Sequence, residues 1–99
     1  MIYLLIKQSI KNYIAWKNSF DRFQEYRKIG GELSCEIYPT DGKKNEHIIL
    51  FRWENEESAL EFLESQSFEM IKKLEEEEPV SIQFLPKTEI ANLKLNHQL

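Results

Sequence analysis

Cysteine and histidine are scarce in this chain. Among 99 residues there is one cysteine, Cys35, and there are two histidines, His47 and His97. A single cysteine cannot form an intramolecular disulfide, and the sequence contains neither a CxxC pair nor a Cys/His cluster at zinc spacing. The sequence therefore predicts no disulfide scaffold and no bound metal.

Long apolar runs and positive charge are also lacking. The opening MIYLLI is shorter than the core of a signal peptide, and no apolar run approaches the length of a membrane span. The net charge is −4, which argues against non-specific nucleic-acid binding because that binding needs a basic surface. We therefore expect a soluble, cytoplasmic protein that binds neither nucleic acid nor membrane.

The signatures of common cofactor and catalytic sites are missing as well. There is no glycine-rich phosphate loop, no pair of histidines at metal spacing and no Ser/His/Asp signature. Together these absences favour a protein without a cofactor. If it is an enzyme, its chemistry is expected to be cofactor-independent.

The most informative segment runs from His47 to Met70. The part that ends at Trp53 is short and rich in β-branched and aromatic residues, which predicts a strand. Asn55 can then cap a helix through its side-chain oxygen, and the two glutamates that follow suit the positive end of the helix dipole. One face of this helix carries Ala59, Phe62, Leu63 and Gln66, which is typical of a helix that covers a sheet.

The rest of the chain supplies three more strands and another helix. Strands are predicted at 2–7, 32–38 and 80–85, a helix at 11–28 that ends at Gly30 and Gly31, a hairpin turn at Asp41-Gly42, and a continuation of the second helix at 67–77. The order β-α-β-β-α-β predicts a ferredoxin-like α+β fold, with one antiparallel sheet and both helices on one face. Residues 1–86 form this domain. The arm 87–99 alternates as a short fifth strand that we expect to contact a partner subunit.

The two faces of the predicted sheet differ in composition. The helix-facing set is Ile2, Leu4, Ile6, Leu33, Cys35, Ile37, Val80, Ile82 and Phe84. The opposite set, which we call the mixed face, is Tyr3, Leu5, Lys7, Glu36, Tyr38, Ile48, Leu50, Arg52, Gln83 and Leu85. The mixed face is too apolar to lie in water, and the same face of a second subunit would cover it economically. We therefore expect a homodimer, and the sequence leaves larger oligomers open.

Several segments together resemble a known family. They are Trp16 near the start of the first helix, Arg27 followed by Gly30, the stretch ILFRWENEESALEFLESQSFEM, and the closing PVSIQFL. Over about residues 1–86 the chain resembles the dimeric α/β-barrel superfamily, and within it the antibiotic-biosynthesis-monooxygenase-like branch. The resemblance implies two subunits that pair sheet to sheet, with a cavity between each sheet and its helices or at the barrel centre.

Members of this superfamily include cofactor-free oxygenases of aromatic polyketides, haem-degrading enzymes, isomerases and cyclases. The haem-degrading branch uses an Asn, a Trp and an iron-ligating His. Here Phe62 stands at the Trp position and Lys72 at the His position, and Lys7 lies near the Asn position. None of the three matches, so the resemblance disfavours haem degradation. Because one fold hosts many activities, it does not by itself supply a function.

Six residues are candidates for ligand binding, and each has a structural alternative. Tyr3 and Tyr38 could orient a substrate through their phenols, or they could pack in the dimer. Glu36 and Arg52 could form a carboxylate base beside an anion-holding cation, or a cross-strand ion pair if the hairpin register places them opposite. Trp16 and Trp53 could stack on an aromatic ligand, or they could be packing residues.

Two further residues have weaker claims to a role. His47 could act as a general base, but its place beside a polar turn favours an exposed side chain without a role. Cys35 is expected on the helix-facing side as a small hydrophobe, not a nucleophile. No catalytic residue is assigned.

Three classes of function follow from these patterns. The first is a homodimer that binds a small, partly aromatic molecule in a cavity beside the sheet. The alternative is a cofactor-independent monooxygenase, cyclase or isomerase that acts on an aromatic or polyketide-like compound, and the third is a structural module without a cavity. The size and lining of the cavity between sheet and helices separate these classes.

Overall fold

The structure, a computed structural model, describes residues 1–40, 44–65, 68–69 and 81–85. Its elements are β1 (Ile2–Ser9), α1 (Tyr13–Arg22), α2 (Gln24–Ile29), β2 (Glu32–Pro39), β3 (Glu46–Trp53), α3 (Glu56–Leu63) and β4 (Ser81–Leu85). The strands form one antiparallel sheet in the order β2-β3-β1-β4. This confirms the predicted ferredoxin-like fold and the β2–β3 hairpin. The predicted turn at Asp41-Gly42, the helix 67–77 and the arm 87–99 lie outside the described residues, apart from Phe68 and Glu69.

The single helix predicted at 11–28 is two helices, α1 and α2, which meet at Phe23. The carbonyl oxygen of Phe20 accepts a hydrogen bond from the backbone N–H of Phe23 at 3.2 Å and another from Nη1 of Arg27 at 2.5 Å. A side chain that bonds to a carbonyl in the last turn is a recognised cause of a helix break. The periodic pattern could not reveal it, because the apolar stripe continues through the break.

Helix α3 begins as the sequence predicts. The side chain of Asn55 accepts a hydrogen bond from the backbone N–H of Ser58 at 2.8 Å, and Glu56 and Glu57 occupy the first turn. Ala59 and Phe62 are the buried residues of the helix. None of the helices in the described part of the chain has the length and apolar character needed to cross a membrane.

The main core lies between the sheet and the helices. Its buried residues are Leu4, Ile6, Ile10, Trp16, Phe20, Ile49, Phe51, Trp53, Ala59, Phe62 and Phe68. Ile2, Cys35, Ile37 and Phe84 pack against this cluster, so their predicted orientation is confirmed. The helix-facing prediction is wrong for Leu33, which is 46% exposed. Ile82 is 42% exposed, but it pairs with the core residue Ile6 and therefore lies on the predicted side of the sheet.

The exposure of Leu33 has a specific cause in the hairpin. The pairing of β2 with β3 shifts between Glu32 and Ser34, where two residues of β2 face one residue of β3. Such a bulge changes the side to which the extra residue points. As a result Glu32 is buried and Leu33 is exposed. The alternation did not place Glu32 in the core.

The mixed face has an apolar centre surrounded by polar groups. Leu5, Ile48 and Leu50 form a second buried cluster, with Tyr3 and Leu85 packed against it. This confirms the predicted side for the third strand. The expectation that the chain leaves the face open is wrong at its centre, because these three side chains are only 3–5% exposed in the single chain.

Candidate functional site

Four of the six candidate residues lie on the mixed face. Tyr3, Glu36 and Arg52, together with Ser34 and Leu50, line a depression of about 250 Å³, which we call the mixed-face depression. Tyr38 adjoins it, because its hydroxyl group donates a hydrogen bond to Oε2 of Glu36. The sheet therefore brings two phenols, a carboxylate and a guanidinium close to one another.

The hairpin register settles the relation between Glu36 and Arg52. Glu36 pairs with Leu50, whereas Arg52 pairs with Ser34 on one side and with Tyr3 of β1 on the other. The two charged residues are thus diagonal neighbours rather than a directly opposed pair. Diagonal Cβ atoms are about 7–8 Å apart, against about 5 Å for opposed residues, so the register does not impose an ion pair.

The phenol of Tyr38 is a hydrogen-bond donor at neutral pH. Partial burial, followed by the hydrogen bond to Glu36, raises the pKa of Tyr38 to about 12. A neutral phenol can donate to a carboxylate or to a developing oxyanion but cannot act as a base. Tyr38 therefore orients the Glu36 carboxylate.

A second cavity lies on the other side of the sheet, between α2, α3 and the end of β3. This helix-side cavity has a volume of about 300 Å³ and is lined by Tyr26, Arg27, Gly30, Trp53, Ser58, Glu61, Phe62 and Ser65. Of the six candidates, it contains Trp53. The sequence also singled out Arg27, Gly30 and Phe62 as part of the family resemblance, but it gave no sign that they would meet at a cavity.

One wall of the helix-side cavity depends on a close approach at Gly31. This residue has φ +116°, and a Cβ added there would lie 2.9 Å from Oγ of Ser58. Its carbonyl oxygen accepts a hydrogen bond from the backbone N–H of Glu54 at 2.9 Å. Glycine is required at such a position because it tolerates positive φ and lets two backbones approach. The end of α2 is thereby held against the start of α3.

The two tryptophans have different surroundings. Trp16 is buried in the core, where its ring stacks on Phe20 with centroids 4.8 Å apart. Trp53 is equally buried, but it lines the helix-side cavity and packs against Phe62 with centroids 5.1 Å apart. The geometry of Trp16 is that of a packing residue, whereas Trp53 could contact a ligand.

A buried ion pair lies beside the helix-side cavity, which Arg27 lines. Nε of Arg27 lies 3.0 Å from Oε1 of Glu32, both side chains are almost fully buried, and the guanidinium carbon lies 3.8 Å from the centroid of the Phe20 ring. We did not predict this pair. The sequence did contain a signal for it, since Arg27 lies within the apolar stripe of the first helix. A guanidinium buried there needs a partner of opposite charge.

Cys35 and His47 have surroundings that suit structural roles. Burial, with a smaller contribution from the negative charge of Glu32, raises the pKa of Cys35 to about 12, so the group is a thiol at neutral pH. The ring of His47 stacks on Tyr13 with centroids 5.2 Å apart, and its Nδ1 lies 2.9 Å from the carbonyl oxygen of Asn45.

Within the described part of the chain, no three His, Cys, Asp or Glu residues are grouped so as to hold a metal ion.

The positions compared with the haem-degrading branch are only partly described. Lys7 lies on the mixed face opposite Ile48, and Phe62 is buried in the core. Lys72 lies outside the described residues. The expectation that haem degradation is disfavoured stays a prediction.

Comparison with known proteins reveals a likeness in structure rather than in sequence. The sequence matches no protein-family model and no curated protein. Among solved structures, a conserved protein from Methanosarcina mazei Go1 is similar with a TM-score of 0.66 and 19% identity, over 87% of this chain and 91% of that one. An antibiotic biosynthesis monooxygenase is similar with a TM-score of 0.64 and 9% identity, over 87% of this chain and 97% of that one. The chain therefore has the ferredoxin-like fold found in antibiotic biosynthesis monooxygenases, as the sequence resemblance implied.

Proposed function

We propose that the protein is a homodimer that binds a small, partly aromatic molecule in the helix-side cavity. The observation that carries this proposal is the lining of the cavity, where the rings of Tyr26, Trp53 and Phe62 meet polar groups from Ser58, Ser65 and Glu61. Ligand sites typically combine apolar and aromatic walls with a few polar groups. The volume of about 300 Å³ lies at the lower end of the range for such sites, which indicates a small ligand.

The electrostatics of the cavity favour an uncharged ligand. The positive charge of Arg27 is matched by Glu32 at 3.0 Å, so the wall contributes little net charge. Nε1 of Trp53 is inaccessible to solvent and has no hydrogen-bond partner among the described residues. A ligand would therefore contact the aromatic ring of Trp53 rather than its N–H group.

The lining favours binding over catalysis. Among the described residues that line the cavity, Glu61 is the only carboxylate and there is no histidine. Glu61 is exposed, whereas a general base is usually held by burial and by a partner group. We therefore place the cofactor-independent oxygenase, cyclase or isomerase second to simple binding.

The dimer part of the proposal rests on the mixed face. Around its buried centre lie half-buried side chains of both polar and apolar character, including Tyr3, Lys7, Tyr38 and Leu85. A surface of this composition suits the polar rim of an interface between identical subunits.

A titration with 1-naphthol, followed by NMR, tests the ligand part of the proposal. The protein has two indole N–H signals, and Trp53 lines the helix-side cavity whereas Trp16 does not. We expect the Trp53 signal to shift saturably and the Trp16 signal to stay in place. Equal shifts of both signals, or no saturable shift, would contradict the proposal.

Two variants make this test specific to the cavity. Tyr26 is exposed and lines the cavity, so Tyr26→Ala should weaken binding by up to about tenfold through loss of an aromatic contact. Ile14 is also an exposed helical residue but lies outside the cavity, so Ile14→Ala should bind as the wild type does. If both variants weaken binding equally, the ligand does not occupy this cavity.

A further inference from the structure

One stripe of α3 and the turn after it supplies most polar groups of the helix-side cavity. Ser58, Glu61, Phe62 and Ser65 line the cavity, and steps of three and four residues place them on the same side. The hydrogen-bonding capacity of two of these side chains is fixed. Contacts within the protein fix it for Ser65, and the chemistry of the carboxylate fixes it for Glu61.

The hydroxyl group of Ser65 can only accept a further hydrogen bond. It donates its proton to the carbonyl oxygen of Phe62 at 2.6 Å, which satisfies a free carbonyl at the end of α3. Its oxygen also accepts a hydrogen bond from the backbone N–H of Phe68 at 3.2 Å. A hydroxyl group has one proton and two lone pairs, so one lone pair is left for a ligand. A ligand at Ser65 can therefore donate a hydrogen bond but cannot receive one.

Glu61 is an acceptor as well. It is the only carboxylate among the described residues that line the cavity, and no hydrogen bond or ion pair joins it to any of them. An ionised carboxylate accepts hydrogen bonds and has no proton to donate. Because Glu61 is exposed, it lies at the solvent side of the cavity. The hydroxyl groups of Tyr26 and Ser58 can donate or accept, so they do not discriminate between ligands.

The buried walls of the cavity add few free donors. Nε of Arg27 already donates to Glu32, and Nη1 donates to the carbonyl oxygen of Phe20. Nε1 of Trp53 is inaccessible to solvent, so a ligand cannot reach it. The balance of hydrogen-bonding groups in the cavity therefore lies towards acceptors.

We propose that the helix-side cavity selects an uncharged aromatic molecule with a hydrogen-bond donor, such as the N–H group of an indole-like heterocycle. The ring lies among Tyr26, Trp53 and Phe62, and the donor lies at the carboxylate of Glu61. A ligand with only an acceptor there would place lone pairs against lone pairs. An ammonium group is disfavoured, because an exposed carboxylate does not offset the loss of its hydration. This selectivity rests on the proposed function and narrows the ligand to one chemical class.

Indole and benzofuran are matched probes for this selectivity. They have the same shape, but indole has an N–H donor where benzofuran has a ring oxygen. Each is titrated into isotope-labelled protein, and its dissociation constant is taken from the NMR shift of the Trp53 indole signal, with the Trp16 signal as an internal control. We expect indole to bind about threefold to tenfold more tightly, which is the effect of one hydrogen bond.

Two exposed glutamates locate the acceptor. Glu61→Ala removes the carboxylate that lines the cavity, so the preference for indole should fall below about twofold. Glu64→Ala removes an exposed carboxylate at the end of α3 that does not line the cavity, so the preference should stay as in the wild type. Equal loss of the preference in both variants would indicate a general effect of net charge and would overturn the proposal.

The other outcomes separate this selectivity from the proposed function. If both probes shift the Trp53 signal saturably with equal affinity, the cavity binds aromatic molecules without recognising a donor, and only the selectivity is refuted. An unchanged preference in Glu61→Ala refutes it too, because the acceptor would then lie elsewhere. If neither probe shifts the Trp53 signal saturably, the selectivity and the proposed function both fail.

Discussion

Replacement of Arg27 by alanine tests whether the buried ion pair holds the helices on the sheet. The guanidinium contacts Oε1 of Glu32 at 3.0 Å, the carbonyl oxygen of Phe20 and the face of the Phe20 ring. Arg27→Ala removes all three contacts and leaves the buried Glu32 carboxylate without its cation. Breaking a buried pair in this way costs about 3–5 kcal/mol of unfolding free energy.

That loss is large for a chain of this size. Small domains have total stabilities of about 5–15 kcal/mol, so the variant should be close to unfolding at room temperature. With a urea dependence of about 1–3 kcal/mol per molar, a loss of about 4 kcal/mol lowers the unfolding midpoint by more than about 1 M. Urea titration followed by circular dichroism measures this midpoint directly.

The same helical region supplies a matched control. Lys17 and Asp21 form an ion pair at 2.7 Å on the exposed surface of α1. Lys17→Ala should cost less than about 0.5 kcal/mol, because solvent screens exposed helical pairs. If Arg27→Ala and Lys17→Ala lower the midpoint equally, or if Arg27→Ala costs less than about 1 kcal/mol, the burial argument is wrong.

Three further predictions concern the mixed face, the core thiol and the C-terminal arm. Leu50→Asp places a charge in the buried centre of the mixed face, so it should lower both the dimer mass in sedimentation and the thermal midpoint. Unchanged values would refute the role of this face as the dimer interface. The pKa of Cys35 is raised from 9.0 to about 12, so the unfolded chain loses this proton first and stability should fall as pH rises from about 9 to 12. Cys35→Ala should flatten that fall in chemical denaturation at a series of pH values, and an unchanged slope would exclude Cys35 as its source. Truncation after Lys87 should weaken the dimer more than it lowers monomer solubility, and equal dimer affinity with and without residues 88–99 would exclude a contact between the arm and the partner subunit.

The sequence was sufficient for those parts of the fold that depend on local patterns. Alternation placed Leu4, Ile6 and Cys35 on the helix-facing side, and Asn55 marked the start of α3 correctly. The sequence-based prediction failed where a side-chain contact overrides the local pattern. The bulge near Glu32 and the helix break at Phe23 both accompany the contacts of Arg27. A periodic pattern does not reveal that Glu32, five residues after Arg27, must turn inward to pair with it.

The candidate sites were predictable in part for the same reason. Period-two alternation put Tyr3, Glu36, Tyr38 and Arg52 on one face, and the structure brings them to one depression and its edge. The diagonal relation of Glu36 to Arg52 could not be predicted, because it depends on the register of β2 against β3, which alternation alone does not set. The helix-side cavity depends on the packing of α2 against α3 at Gly31 and Ser58, which no local pattern encodes.

A crystal structure of the protein soaked with 1-naphthol tests the central claim most directly. The account predicts two subunits joined through their mixed faces, with the ring of the ligand between Tyr26, Trp53 and Phe62 in the helix-side cavity. Ligand density elsewhere with an empty helix-side cavity, or subunits that leave the mixed face uncovered, would contradict it.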